Sequence, residues 1–368
     1  MKKVTFSRRV GFHVEVRKRV DQYFDRSGLS RGANLGMVLK TAAALMVVGA
    51  SYALFLLSAS SIPLVIIASF ALAQGFVLVG FNIMHDSLHN SYTSSKRLNR
   101  LLGLSLELMG GSSMLWQHKH NVLHHTYTNI NELDDDLEVP GILRFSPDQQ
   151  RKPCHRFQHL YAFPVYSLMT FSMVIRSDFQ KYFTGKIGDY QMPKPSGADS
   201  VLFFAAKALY FGYMLVLPMF FHPVLHVLLF FLLVHAVLGF TMAVVFQLAH
   251  IVGDTTFPVP DAGSSEIDNE WAIHQVETTA DFAPRSRLAT WYLGGLNFQI
   301  EHHLFPRVCH VHYPAISRIV EATCQEFDVV YTSYPSIGKA VSAHRTFLKR
   351  LGGPEFDHLI PLSADAQA

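Results

Sequence analysis

The sequence predicts an all-α integral membrane protein: four transmembrane helices, paired as two hairpins, under a cytoplasmic helical cap. Two observations carry that reading. Residues 41–84 and 208–249 contain no Asp, Glu, Lys or Arg, and each run is broken near its middle by a turn signal. A third observation links the fold to chemistry: three histidine clusters, far apart in sequence, all fall just outside those runs.

One spanning helix needs about 20 apolar residues, so each run has room for two helices and a tight turn. The turns read as Ser60-Ser61-Ile62-Pro63 and Phe221-His222-Pro223. Buried helices of a soluble protein are the bland alternative, which such lengths without charge disfavour. Composition agrees. With 49% hydrophobic and 16% charged residues among 368, the chain is too apolar for an ordinary soluble enzyme and too charged for a wholly buried bundle.

The expected organisation is one membrane domain. Residues 1–40 form a cytoplasmic N-terminal segment, 41–84 the first hairpin, and 85–207 a cytoplasmic and interfacial segment leading into the third span. Residues 208–249 form the second hairpin, and 250–368 the cap and tail. Each hairpin returns to the face it left, so all the remaining segments share one side. The N-terminal segment carries Lys2, Lys3, Arg8, Arg9, Arg17, Lys18, Arg19, Arg26, Arg31 and Lys40. Positive residues mark the cytoplasmic side, of a bacterial inner membrane or of the endoplasmic reticulum.

Two shorter apolar stretches, 101–116 with Gly110-Gly111 and 160–175 with Pro164, are expected to lie in the interface. A crossing by just one of them would split the histidine clusters between two sides. Asn131–Glu138 reads as an acidic, solvated loop, or as one whose carboxylates orient ligand histidines. Gly185–Ser200 reads as a connector, 313–328 as a helix, and the tail after Leu351 as loosely ordered. No secretory signal is expected. Cys154, Cys309 and Cys324 have neither metal-type nor disulfide-type spacing. A net charge of +3 and no basic tract beyond the N-terminus give no nucleic-acid footprint.

The first cluster, His85 and His89, has the spacing that places two side chains on one helical face. His120 and His124 repeat it, and His125 lies about 100° further round. Gln299 stands three and four residues before His302 and His303, with Pro306 ending the turn. His250 closes the fourth span. One such pair alone more often means surface or core histidines; His155 and His159 share the spacing and are expected to be a decoy. Three clusters on one face are hard to obtain by accident, and imidazole suits iron, zinc and copper. His235, inside the fourth span, is expected to hydrogen-bond a neighbouring helix. His222 and His226 are expected to meet water or headgroups at the far turn.

The pattern His-x3-His, His-x3-His-His, Gln-x2-His-His resembles the membrane fatty-acid desaturase family. The last box stands as Asn297-Phe298-Gln299-Ile300-Glu301-His302-His303-Leu304-Phe305-Pro306. Gln in place of the box's first histidine resembles the front-end branch, and the likeness extends through Thr126-Tyr127-Thr128-Asn129 and Asp134-Asp135-Asp136. The resemblance implies an O2-dependent acyl desaturase with two iron ions held by His85, His89, His120, His124, His125, His250, His302 and His303. Gln299 would join directly, through water, or only behind the ligands; His118, His155, His159, His274, His310 and His312 do not match. The implied substrate is a fatty acyl chain, as acyl-CoA or acyl-lipid, drawn from the membrane lipid. The cytochrome b5 signature His-Pro-Gly-Gly is absent and neither end has room for that domain. Electrons are therefore expected from an external carrier, ferredoxin or free cytochrome b5 with its reductase. A lipid hydroxylase on the same scaffold is the near alternative, and a membrane metal transporter the distant one.

Overall fold

The structure, a computed structural model, describes residues 4–59, 61–139, 141–261 and 265–359. Lys2, Lys3, Ser60 and the last residues of the tail lie outside them. The described chain is mostly helical: α1 (Phe12–Ser27), α2 (Leu35–Leu57), α3 (Ile62–Leu88), α4 (Lys96–Gly103), α5 (Gly197–Phe220), α6 (Val224–His250), α7 (Trp271–Glu277), α8 (Gln299–Leu304), α9 (Tyr313–Glu326) and α10 (Ile337–Gly352), with shorter turns between. Among the described residues, four helices are long and apolar enough to cross a membrane: α2, α3, α5 and α6.

Local chemistry sets where these helices start. The Asn34 side chain accepts the Met37 amide at 2.9 Å, Pro63 occupies the first turn of α3, and Ser196 and Asp199 form a reciprocal cap on α5. As a result α2 and α5 begin before the charge-free runs do and take Lys40 and Lys207 into the helices. Lys207 is buried and paired with Asp178 at 2.7 Å, while also donating to the Gly110 carbonyl at 2.6 Å. An unpaired ammonium would not be tolerated there.

α3 packs against both α2 and α6. Gly75 makes the first contact close: a Cβ there would stand 2.9 Å from the Val48 side chain. The core between them runs through Phe55, Leu72, Phe76 and Phe230. A second core joins α1, α7, α8 and α9 around Phe12, Val16, Ile300 and Ile316. Three two-stranded ladders clip loops together: β1 (Thr5–Phe6) parallel to β4 (Glu266–Ile267), β2 (Lys186–Ile187) antiparallel to β3 (Tyr190–Gln191), and β5 (Asp281–Phe282) parallel to β6 (Ser333–Tyr334).

The two short apolar stretches break up. Residues 101–116 divide at Gly110, where φ is +83°, and 160–175 divide after Tyr166. The region read as a connector holds the β2–β3 turn and the start of α5. His235 donates and accepts between helices, to Tyr210 at 2.6 Å and Thr170 at 3.1 Å, as the sequence implied. His222 differs from expectation: it is buried, its ring stacked 4.7 Å from Phe55, because the turn folds back onto the end of α2.

Candidate metal centre

All eight sequence-selected histidines meet in one buried place. His85, His89, His120 and His302 form one group; His124, His250 and His303 form a second. His125, with His302 and His303, stands between them. Within each group the nearest ring nitrogens lie within 4.8 Å of one another, and every one of these side chains is less than 9% exposed.

Two π-helical segments set the aim. α3 widens over Gly80–Met84 just before His85, and Gln117–His124 is π-helical throughout. Its i→i+5 bonding brings residues five apart together, where an α-helix would separate them by about 140°. His120 Nε2 and His125 Nε2 consequently approach to 3.2 Å. The rings of His120 and His124 still neighbour each other at 5.2 Å and share a third cluster with Asp136, yet among the all-histidine groups His120 falls in the first and His124 in the second. The i,i+4 reading of this cluster therefore captured the adjacency but not the division of labour.

Behind the rings, protein acceptors hold the other nitrogen. His124 Nδ1 donates to Asp134 at 3.0 Å, His303 Nδ1 to Gln275 Oε1 at 2.7 Å, His250 Nδ1 to the Thr278 carbonyl at 3.4 Å and His302 Nδ1 to the Tyr313 hydroxyl at 3.4 Å. Each such bond fixes the tautomer that leaves Nε2 as a lone pair. The Nε2 atoms of His85, His89, His124, His250, His302 and His303 are buried and have no hydrogen-bond partner among the described residues. Native interiors rarely leave so many buried polar atoms unpaired, and six convergent imidazoles with free lone pairs are a donor set for transition-metal ions.

Burial, reinforced by neighbouring rings, pushes His89, His120, His125, His302 and His303 well below the usual imidazole range, keeping them neutral. For His124 burial pulls the same way, but Asp134 and Asp136 outweigh it and its pKa rises. The acidic segment is thus solvated only in part: Glu132 and Glu138 are exposed, while Asp134 is buried and Asp135 and Asp136 are half-buried. Asp134 is 1% exposed, Lys119 binds Asp136 at 2.5 Å, and Lys181 binds Asp135 at 2.5 Å. Asn129, at φ +58°, ties this segment to the carbonyls of His250, Thr256 and Thr278.

Gln299 is buried within hydrogen-bonding reach of His250. His155 is occupied elsewhere, accepting the Lys152 amide at 3.1 Å and facing the Gly141 carbonyl at 3.3 Å. His118 faces Tyr190, away from both groups. Sequence reasoning missed Gln275 and the cluster in which Asp86 accepts from His310 Nδ1 at 2.8 Å and from the Cys309 thiol at 3.0 Å. That cluster ties the end of α3 to the loop after α8. The Asp next to His85 was its only local signal.

A cavity of about 1190 Å³ reaches the first group at His85, His120 and His302. Gly80, Phe81, Met109, Leu238 and Met242 give it apolar walls, and Lys119, Asp135, Lys181 and Asp189 stand at its polar part.

The sequence profile of the fatty acid desaturase family matches residues 60–335. The chain is 40% identical over 351 residues to an acyl-lipid (8-3)-desaturase of Physcomitrium patens, covering 94% of this chain and 72% of that protein. It is 34% identical to an sn-1 linoleoyl-lipid 6-desaturase of Synechocystis, covering 95% and 98%, and 36% identical to one of Arthrospira platensis, covering 95% of each. Convergent histidine boxes beside four apolar helices and likeness across nearly the whole chain lead to one conclusion: this protein belongs to the fatty acid desaturase family and is a membrane oxidoreductase that desaturates acyl chains.

Proposed function

We propose that the chain is an O2-dependent front-end acyl-lipid desaturase whose eight histidines hold two iron ions. The observation that carries this is the set of buried Nε2 atoms without partners, converging from α3, the π-helix, α6 and α8. Four of the eight, His85, His89, His120 and His302, would hold one ion. His124, His250 and His303 would hold the other, with His125 between them and Gln299 beside His250. When bound, the irons supply the O2 activation and one-electron chemistry that removes two hydrogens from unactivated methylenes.

The protein's own residues do the rest. Asp134, Gln275 and the Thr278 carbonyl orient His124, His303 and His250 and hold the proton on Nδ1. The apolar cavity takes the acyl chain and presents adjacent carbons to the His85–His120–His302 side. Burial of the rings excludes bulk water. The likeness to an acyl-lipid (8-3)-desaturase and to an sn-1 linoleoyl-lipid 6-desaturase supports an acyl-lipid substrate and the front-end reading.

In the same proposal α2–α3 and α5–α6 are two membrane hairpins of a single domain, their helices reaching beyond the charge-free runs at 41–84 and 208–249. The segments between and after the hairpins, 89–196 and 251–359, sit with the N-terminal segment on the cytoplasmic face, where basic residues concentrate. A separate carrier, ferredoxin or cytochrome b5, delivers electrons there.

The test is lipid mass spectrometry with iron analysis on cells expressing the protein or His302→Ala. A new acyl species lighter by two hydrogens, absent in the variant together with iron, is expected. A species heavier by one oxygen would make the protein a hydroxylase, and metal flux without a lipid product would make it a transporter.

A further inference from the structure

We propose that a second, smaller cleft binds the phosphate of a membrane lipid that is not the reacting substrate. The cleft, about 450 Å³, lies between the end of α3, α4, the 112–118 segment and the first turns of α5. Lys96 and Arg100 line it from α4. They are four residues apart, hence on one face of that helix, and neither enters a salt bridge among the described residues.

Two further wall atoms lack partners among the described residues. The Ser87 hydroxyl is buried without a hydrogen bond, and so is Nδ1 of His118. A buried hydroxyl left unpaired costs about 1–3 kcal/mol, which a polar guest would recover. The two acids of the cleft are engaged. One Glu107 oxygen accepts the Ser113 amide at 2.8 Å and hydroxyl at 2.6 Å, and Asp199 accepts from Ser196 at 2.6 Å. Burial pushes the Glu107 carboxyl up, which blunts the opposition of its second oxygen to an anion. What remains is two cations, one hydroxyl and one ring nitrogen around a cleft with room for a phosphate, a set that can bind phosphate oxygens.

The source of the phosphate follows from the surroundings. Two apolar helices meet the cleft at their ends, α3 at Leu88 and α5 near Asp199. Leu98, Leu101 and Leu108 are exposed nearby at 42%, 64% and 50%, an apolar surface for acyl chains beside a cationic one. This part rests on the membrane placement proposed above. The reacting chain is elsewhere: Leu115 and Trp116 face the large cavity, while Met114, Gln117 and His118 face the cleft, so one short helical segment divides them. Ser87 lies between His85 and His89, and His118 two residues before His120. A bound head group would brace the two segments that aim these histidines.

Native mass spectrometry of the detergent-purified protein with added phosphatidylglycerol reads the cleft without a bilayer. The expected result is one retained lipid, with apparent affinity lowered about tenfold or more in Lys96→Gln/Arg100→Gln, equivalent to about 1.4 kcal/mol, and lowered less in Ser87→Ala. In nanodiscs of a neutral glycolipid, adding phosphatidylglycerol should raise the melting temperature of the wild type but not of the double variant. Equal retention and equal rise in wild type and double variant overturn the proposal, as does no retention in the wild type. If inorganic phosphate alone reproduces the rise, the site takes the free anion and the lipid assignment falls. The lipid product assay reports on the desaturase reading independently of either measurement.

Discussion

Asp134 accepts the Nδ1–H of His124 at 3.0 Å, with both groups withdrawn from solvent. This contact joins an acidic segment to a ring whose Nε2 faces His250 and His303. A carboxylate behind a ligating imidazole typically contributes a factor of about 10–100 in metal affinity or activity. Asp134→Ala is expected to lose iron by about that factor while still inserting in membranes, as measured by metal analysis of the purified protein. Full iron content in that variant would reduce Asp134 to a loop anchor.

Gln275 does for His303 what Asp134 does for His124, without a charge. Its carbonyl also accepts the Thr128 hydroxyl at 3.0 Å. Gln275→Leu keeps the volume and removes the acceptor. Activity and iron occupancy are expected to fall roughly tenfold, less than for Asp134→Ala, because a neutral acceptor raises ligand basicity less.

The Lys207–Asp178 pair, with side chains 4% and 8% exposed, predicts a non-additive mutant cycle. Lys207→Met alone leaves a buried carboxylate unpaired and is expected to cost about 3–5 kcal/mol. Lys207→Met/Asp178→Leu is expected to recover most of that. Thermal unfolding of the three variants checks it; additive losses would show that the charges do not act as a pair.

His344 is fully buried, donating from Nδ1 to the Ile251 carbonyl at 2.6 Å and facing the Tyr166 hydroxyl at 2.7 Å. Burial lowers its pKa from 6.5 to about 4. A depressed histidine stabilises the fold fully above the unfolded value, and this contribution is lost as pH falls from about 6.5 through about 4. The difference is on the order of 3 kcal/mol. His344→Gln is expected to flatten the decline of the melting temperature across that window relative to wild type.

His155→Ala should retain iron and activity and lose about 1 kcal/mol of stability, the worth of one hydrogen bond at a helical cap. Metal analysis and unfolding of the same sample separate the two effects. Loss of iron would return His155 to the ligand candidates.

What could be read from sequence was what repeats locally or costs too much to hide. Long uncharged runs cannot be solvated on any face, so four apolar helices were legible, as were the turns at Pro63 and Pro223. Box histidines were legible because their spacing is local and their number large. His235 was legible too, since a polar ring among apolar residues must find a partner.

Tertiary structure decided the rest. Which ring serves which group depends on a π-helix over Gln117–His124, and no residue type announces an extra residue in a turn. Gln275 meets His303, and Asp86 meets His310, across gaps closed only by packing. For the acidic run the sequence left two readings open, a solvated loop or carboxylates that orient ligand histidines; packing decided for the second at Asp134, where the His124 ring and the Asn129 amide replace water with fixed donors. The sequence by itself determined which side chains exist and on which helices; their convergence was decided by the close approach of α3 to α6 and, for His124, His250, His302 and His303, by the acceptors behind the ring, because a hydrogen bond at Nδ1 fixes where the Nε2 lone pair points.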